Sequence, residues 1–228
     1  MPFGSNDPPK REYAQAQEPG SARVSLRIGV LGLQGAFSEH VDAIQRALAN
    51  QAIAGNAETV RRRADLAALD GLVMPGGEST TISKLLRAFD LHDLLVQRAR
   101  DEDFPILGTC AGMILLAKEG DGQVEKTDTR LLGLMDMAVN RNAFGRQRES
   151  FEAALDIKGY DVPVPGVFIR APGVTRTWGA CEPLGSLGDF TIAAQQGNRY
   201  AIAFHPELTS DTRVHERFVQ TVAAWKKR

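Results

Sequence analysis

A cysteine between two glycines is the residue best placed for covalent chemistry. Cys110 lies at the centre of Gly108-Thr109-Cys110-Ala111-Gly112, between an apolar strand pattern and a helix pattern. A nucleophile in this position is typical of a nucleophile elbow, whose sharp turn exposes the side chain at the end of a strand. The helix N-terminus favours the thiolate, and the Ala111 N–H would point at a developing oxyanion. We therefore predict a cysteine nucleophile; the alternative is a small buried side chain in a tight turn.

A cysteine nucleophile needs a base, and His205 is the best placed of the four histidines. His205 ends an apolar strand pattern, a proline follows it directly, and Glu207 comes next. Because proline fixes its own backbone and restricts the preceding residue, His205 and Glu207 are held at one corner. There the carboxylate can orient the imidazole toward a thiol. We expect His92 and His215 to be solvated on their helices, and His40 to cap or pack at the first turn.

Two further kinds of segment could bind a ligand. The turn Pro75–Ser79 ends a short strand pattern, and its glycines would let backbone N–H groups approach a ligand. Its alternative is an ordinary turn in which Ser79 caps a helix. The arginines of Arg141–Arg148, and Arg170 at another strand end, could recognise an anion or carboxylate, although a solvated loop also explains the first segment. Neither a phosphate-binding Walker loop nor the dinucleotide fingerprint is present, so NAD binding is disfavoured.

The segments around these residues alternate between strand and helix patterns. The predicted elements are strand Val24–Leu31, helix Ala36–Asn50, strand Leu72–Met74, helices Thr80–Phe89 and Leu91–Arg100, strand Pro105–Leu107, a helix ending at Ala117, strands Leu132–Val139, Phe151–Ile157, Gly166–Ile169, Thr191–Ala194 and Tyr200–Phe204, and helix Thr212–Trp225. Short buried strands alternating with helices indicate parallel βαβ units. The sequence therefore predicts an α/β fold with one doubly wound, mostly parallel sheet.

Composition excludes several classes of protein. The 228 residues carry 27 Lys and Arg against 28 Asp and Glu, a formal net charge of −1, which does not favour a polyanion binder. Two cysteines cannot build a disulfide framework or a Cys-rich zinc site. No apolar run approaches the roughly 20 residues that cross a bilayer, and no secretory signal pattern is present. We expect a cytoplasmic protein with both thiols reduced.

Two polar segments lie outside the motifs. Residues 1–23 are rich in proline and poor in apolar side chains, which predicts a flexible tail or a remnant of an expression vector. Residues 24–228 are predicted to form one folded domain. We expect the polar segment Gly120–Arg130 to be a surface loop that touches no motif.

Six segments together resemble the glutaminase subunits of pyridoxal 5′-phosphate synthase, a family of class I, triad-type glutamine amidotransferases. They are, in order, Gly29–Gly35, Pro75–Thr81, Gly108–Gly112, Arg141–Gln147, Phe168–Pro172 and Phe204–Thr209. The second, fourth and fifth segments are specific to this family, whereas the cysteine and His-Pro-Glu motifs are shared with other triad amidotransferases. The resemblance covers about Arg27 to the last residue and implies a flavodoxin-like three-layer sandwich.

The resemblance implies catalytic roles for three side chains and for the backbone of three further residues. Cys110 would attack the side-chain amide of L-glutamine, His205 would carry the thiol proton to the leaving ammonia, and Glu207 would orient His205. Water would then release glutamate from the thioester. The backbone N–H groups of Ala111 and of the Gly76–Gly77 turn would stabilise the oxyanion.

The resemblance also implies how the substrate and a partner are held. Glu78 would bind the amino-acid head of glutamine, while Arg141, Ile169 and Arg170 would close the site. Gln34 would lie near the oxyanion turn and the partner surface. The partner would be the synthase subunit, a (β/α)₈ barrel that takes up the ammonia and uses ribose 5-phosphate and glyceraldehyde 3-phosphate. The family assembly holds twelve copies of each subunit, the free glutaminase is nearly inactive, and no metal or bound cofactor is implied.

Two other functions stay open at this point. The chain could be the glutaminase subunit of a different amidotransferase, for example imidazole glycerol phosphate synthase. It could also be a non-catalytic binding or cysteine-sensor protein on a flavodoxin-like fold. The second function requires Cys110 without a working base, and the pair His205 and Glu207 argues against it.

Overall fold

The computed structural model describes residues 25–145 and 150–228. Within them the strands are β1 Leu26–Leu31, β2 Gly55–Val60, β3 Gly71–Met74, β4 Ile106–Thr109, β5 Ala117–Gly120, β6 Met135–Asn140, β7 Ser150–Leu155, β8 Val164–Ile169, β9 Gly173–Thr177, β10 Glu182–Leu187, β11 Phe190–Gln196 and β12 Arg199–Ile202. The helices are α1 Phe37–Asn50, α2 Arg63–Ala67, α3 Ser79–Ala88, α4 His92–Asp101, α5 Ala111–Leu116, α6 Gly122–Lys126 and α7 Arg213–Lys226, with a 3₁₀ turn at Pro206–Leu208. The predicted tail and Arg146–Arg148 lie outside the described residues.

One large sheet runs through the molecule in the order β2-β1-β3-β4-β12-β11-β9-β6-β5, with β10 paired to β11. Neighbouring strands from β2 to β12 are parallel, whereas β12, β11, β9 and β6 pair antiparallel. Strands β7 and β8 form a separate antiparallel pair. The predicted α/β fold with a doubly wound, mostly parallel sheet is confirmed.

Helices cover the sheet in two groups. Helix α1 packs against α7, and α3 packs against α4 and α5. Strand β1 pairs with β2 on one side and with β3 on the other, so the chain reverses its direction across the sheet after β2. Every residue of β3 and β4 is buried, as expected for parallel strands covered on both faces. These two strands are rigid, and both lead directly into segments that line the site described below.

Six elements were not predicted by the sequence patterns: strands β2, β5, β9 and β10 and helices α2 and α6. Strand β2 buries Ala57 and Val60 but exposes most of its other residues, because it is the edge strand of the sheet. Helix α2 has five residues, too few for a helical period to show. Helix α6 lies inside the segment expected to be a loop, where the Asp121 carboxylate caps it by accepting from the N–H groups of Gln123 and Val124.

No helix among residues 25–145 and 150–228 is long and apolar enough to cross a lipid bilayer.

Candidate active site

The turn from β4 into α5 holds Cys110 in a strained backbone conformation. Cys110 has φ of 48° and ψ of −102°, in a region that residues other than glycine rarely adopt. The two glycines let the chain segments approach closely: a Cβ at Gly112 would lie 2.2 Å from the Met74 carbonyl oxygen, and one at Gly108 would lie 2.7 Å from the Gly112 carbonyl carbon. The Cys110 N–H donates to Ile202 O at 2.8 Å, which ties the turn to β12.

His205 reaches the cysteine because β12 lies beside β4. The two strands run parallel with Ile202 opposite Thr109, so the residues that follow them emerge at the same edge of the sheet. His205 Nδ1 lies 2.7 Å from Glu207 Oε1, and the His205 N–H donates to Val167 O at 2.8 Å. The Glu207 side chain is fully buried. The proline corner therefore places the carboxylate behind the imidazole.

The contacts of His205 favour its protonated form. Burial lowers the pKa of His205, but its hydrogen bonds to Cys110 and Glu207 outweigh burial and raise that pKa to about 10. These two contacts therefore favour a protonated imidazole beside Cys110. The second cysteine differs, because burial and the charge of Asp136 raise the pKa of Cys181 to about 11 and keep it a thiol.

A cavity of about 380 Å³ opens above Cys110 and His205. This volume is in the usual range of small-molecule sites. It brings together most of the residues singled out from the sequence: Gln34, Gly76, Gly77, Glu78, Cys110, Arg141, Ile169, Arg170 and His205. Two others lie behind the lining: Ala111 is the buried first residue of α5, and Glu207 is buried behind His205.

The glycine turn after β3 forms one wall of the cavity. A Cβ at Gly76 would lie 2.4 Å from His205 Cε1, so the turn packs directly against the imidazole. Gly77 has φ of +155° and lies against the Gln34 side chain, whose Oε1 accepts from the Glu78 N–H at 2.7 Å. The helix cap is Glu78 and not Ser79, because the Glu78 carboxylate accepts from the N–H groups at 80 and 81.

An ion pair spans the mouth of the cavity. Arg141 Nη2 lies 2.9 Å from Glu78 Oε1, and the Arg141 side chain is largely buried whereas that of Glu78 is half exposed. The segment Gly120–Arg130 holds Arg141 in place: the Asp121 carboxylate accepts from the Arg141 N–H at 2.8 Å, and Thr127 Oγ1 lies 3.3 Å from Arg141 Nη1. The expectation that this segment touches no motif was wrong. Asp121, which caps the helix in this segment, is the sequence signal for these contacts that was missed.

We expect Glu78→Gln to remove a pH-dependent part of the stability. Burial raises the pKa of Glu78, but hydrogen bonds from Thr81 and Thr80 outweigh it and lower the pKa from 4.5 to about 2. A lowered folded-state pKa contributes stability above the unfolded pKa, and that contribution is lost as pH falls toward 2. In denaturant titrations, Glu78→Gln should be less stable than the parent at pH 7 by about 0.3–1 kcal/mol, the usual value of a negative charge at a helix N-terminus.

The difference in unfolding free energy between the parent and Glu78→Gln should disappear as the pH falls from 4.5 to 2. Glu182→Gln, at an exposed carboxylate on β10, is the matched control and should show a pH profile parallel to the parent. A stability difference between the parent and Glu78→Gln that is as large at pH 2.5 as at pH 7 would contradict the assignment of Glu78 as a charged helix cap.

Three histidines expected to be solvated or simply packed are buried, and two of them approach the site. His40 and His215 have no exposed surface, and His92 is also buried. His92 and His215 were predicted to be solvated, and that was wrong. Each lies three residues before an apolar residue on the buried stripe of its helix, at Leu95 and Phe218. This helical spacing was the sequence signal for burial of the two histidines, but the charged residues beside them led to the prediction that they are solvated.

No group of three or more His, Cys, Asp or Glu side chains in the described part of the chain is arranged to hold a metal ion.

Comparison with known proteins agrees with this geometry. Residues 30–224 match the model of the SNO glutamine amidotransferase family. The chain is 51% identical over 197 residues to the pyridoxal 5′-phosphate synthase subunit PdxT of Methanosarcina acetivorans, covering 86% of this chain and 98% of the relative. It is 50% identical over 195 residues to the same subunit of Archaeoglobus fulgidus, with the same coverage.

Solved structures show the same fold. A crystal structure of a glutamine amidotransferase superimposes with a TM-score of 0.76 at 43% identity, covering 86% of this chain and 98% of that one. A glutamine amidotransferase from Thermotoga maritima, at 13% identity and a TM-score of 0.57, covers 89% of this chain and 86% of its own and shares the fold. The match spans the elbow, the glycine turn and the His-Pro-Glu corner, and the chain belongs to the SNO glutamine amidotransferase family.

Proposed function

We propose that this protein hydrolyses L-glutamine to glutamate and ammonia, and that it delivers the ammonia to a synthase subunit that makes pyridoxal 5′-phosphate. The observation that carries the proposal is the contact between Cys110 and His205 on the wall of a cavity whose mouth carries both a carboxylate and guanidinium groups. A thiol with a base serves amide cleavage, and the two charges suit an amino acid.

The chemistry follows from the order of the side chains. The Cys110 sulfur attacks the side-chain amide carbon, and its proton resides on His205, which Glu207 orients. The N–H groups of Ala111 and of the Gly76–Gly77 turn stabilise the oxyanion. His205 delivers the proton to the amide nitrogen, the C–N bond breaks and ammonia leaves. Water, deprotonated by His205, then cleaves the thioester to glutamate and restores the thiol.

The charged residues at the mouth would hold the zwitterionic end of the substrate. Glu78 suits the α-ammonium group, and Arg141 and Arg170 suit the α-carboxylate, with Ile169 beside them. Glu78 and Arg141 already pair with each other, so their charges are positioned before the substrate arrives. Gln34 fixes the Glu78 backbone and thereby links the oxyanion turn to the loop after β1.

A partner subunit completes the proposal. The relatives reported above are named as subunits of pyridoxal 5′-phosphate synthase, and this chain covers nearly all of their length. Ile169, at the cavity, and Leu208, directly after Glu207, are exposed apolar side chains that suit a docking surface. We propose the (β/α)₈ barrel subunit as the partner, in a hetero-oligomer of twelve copies of each. We place the complex in the cytoplasm, where a reactive thiol stays reduced.

Glutamine hydrolysis measured with and without the synthase subunit tests the function. We expect little glutamate from the free protein and strong stimulation by the barrel subunit, with pyridoxal 5′-phosphate formed from glutamine, ribose 5-phosphate and glyceraldehyde 3-phosphate. Stimulation by the imidazole glycerol phosphate synthase subunit instead would favour the alternative partner. No hydrolysis with either partner, and no labelling of Cys110 by a glutamine-mimicking electrophile, would exclude a glutaminase.

A further inference from the structure

Behind the Cys110–His205–Glu207 group lies a buried pair of histidines from two helices. His40, on α1, places Nε2 3.2 Å from Glu207 Oε2 and 3.2 Å from Thr109 Oγ1. His40 Nδ1 lies 3.0 Å from His215 Nε2, on α7. The side chains of His40 and Glu207 have no exposed surface. The polar cluster therefore continues from the proposed triad into the interior of the protein.

The Glu207 carboxylate uses only one oxygen within the proposed triad. Oε1 pairs with His205, whereas Oε2 is buried without an aligned hydrogen-bond donor among the described residues, and His40 Nε2 lies 3.2 Å from it. A buried carboxylate oxygen without a donor is costly, because no water replaces the lost hydration. His40 Nε2 is within hydrogen-bond distance of this oxygen and is therefore the ring nitrogen positioned to supply the donor.

The contacts decide which nitrogen of each ring carries the proton. If His215 Nε2–H donates to His40 Nδ1, then His40 Nε2 carries a hydrogen and faces Thr109 and Glu207 as a donor. Only the His215 Nδ1 lone pair is then unused. In the opposite arrangement His215 Nδ1–H would be a buried donor without an acceptor, and the His40 Nε2 lone pair would face the carboxylate. The first arrangement leaves no ring N–H unpaired.

Both rings are neutral at physiological pH. Burial, followed by the charges of His215 and His205, lowers the pKa of His40 well below its usual value. Burial and the charge of Arg46 lower the pKa of His215 to about 4. The groups that face this pair are therefore Glu207, His205 and Arg46, together with the Thr109 hydroxyl. A neutral donor leaves the negative charge of Glu207 available to His205.

We propose that His40, held in one tautomer by His215, is a positioning residue that donates to Glu207 Oε2 and so fixes the carboxylate that orients His205. The inference rests on the proposed glutaminase function. His40 and His215 do not line the cavity, so they act on the proton transfer and not on substrate binding. The two helices that carry them pack against each other, which makes the pair part of the α1–α7 contact.

Three variants test this role in the complex with the synthase subunit. His40→Leu removes the donor and should lower kcat about 10- to 100-fold, the usual cost of losing an outer partner of a functional side chain, with KM for glutamine changed less than about twofold. His40→Gln keeps an N–H donor and should recover most of kcat. His215→Leu should lower kcat in the same direction, because His40 loses its fixed tautomer. His92→Leu removes a buried histidine of α4 as the matched control and should keep kcat.

A second measurement does not depend on glutamine turnover. The pH dependence of Cys110 alkylation by iodoacetamide reports how readily its thiol loses a proton, and His205, which Glu207 orients, is the group in contact with this thiol. His40→Leu should therefore move the alkylation profile to higher pH, His40→Gln should restore it, and His92→Leu should leave it unchanged. This profile decides the inference even if the parent protein hydrolyses no glutamine, an outcome that counts against the proposed function alone.

Two results would overturn the inference. One is a folded His40→Leu protein with the kcat and alkylation profile of the parent. The other is an equal fall in kcat in His40→Leu and His40→Gln, which would show that His40 acts through packing and not as a donor. If His40→Leu does not fold, unchanged kcat and alkylation in His215→Leu would overturn the proposal equally.

Discussion

Cys110→Ala should abolish glutamine hydrolysis, with a fall in kcat of at least about 10³-fold in the complex with the synthase subunit. Alanine has no sulfur with which to form the thioester, so the covalent route is closed. The exchange removes one buried sulfur atom and keeps the Cβ, so the strained turn and the packing of β4 on α5 are retained. The variant should therefore still bind the partner, as measured by gel filtration of the mixed subunits.

Cys181→Ala is the matched control for this experiment. Both cysteines are free and buried, but Cys181 is not part of the cavity lining, and burial keeps its thiol protonated. We expect it to keep glutaminase activity within about twofold of the parent. A fall in the kcat of Cys110→Ala of less than about 10-fold would rule out the covalent mechanism.

Gly76→Ala should give the second largest loss, a fall in kcat of about 10²-fold with the fold intact. Its methyl group would lie 2.4 Å from His205 Cε1 and 3.3 Å from Cys110 Cβ, so it enters the space between nucleophile and base. The imidazole must move, and a displacement near 1 Å in a reacting group costs about this factor. Steady-state kinetics of the complex would measure the loss, and circular dichroism would show that the fold is kept.

Gly122→Ala provides the comparison at a glycine with open space around its Cβ. It lies at the start of α6 and should keep full activity while gaining up to about 1 kcal/mol in helix stability. Equal kcat in Gly76→Ala and Gly122→Ala would show that the close packing at Gly76 has no catalytic consequence.

The sequence predicted the parts of the site that depend on the backbone. Gly108 and Gly112 are required because neighbouring backbone atoms occupy the space of a Cβ, and such a requirement appears directly as residue type. The parallel strands β3 and β4 were found for a similar reason, since burial on both faces imposes a continuous apolar run. Edge strand β2 imposes no such run and was missed.

Side-chain contacts between distant segments were not predictable in this way. His40 and His215 meet because α1 and α7 pack together, although they are far apart in the chain. Their helical spacing from apolar residues indicates burial, but it does not reveal the partner of each ring. The Arg141 contacts with Asp121 and Thr127 are of the same kind, because a polar segment shows no period from which its packing could be inferred.

The pairing of β4 with β12 has a consequence for the synthesis of the protein. Cys110 follows β4 and His205 follows β12, roughly a hundred residues later, and His215 lies later still on α7. A ribosome therefore completes Cys110, the proposed nucleophile, long before His205, the proposed base, and the two meet only when β12 pairs with β4. A nascent or truncated chain without β12 carries a thiol but no partner for its proton. With the roles proposed above, glutamine hydrolysis requires a chain that has been synthesised through β12 and His205.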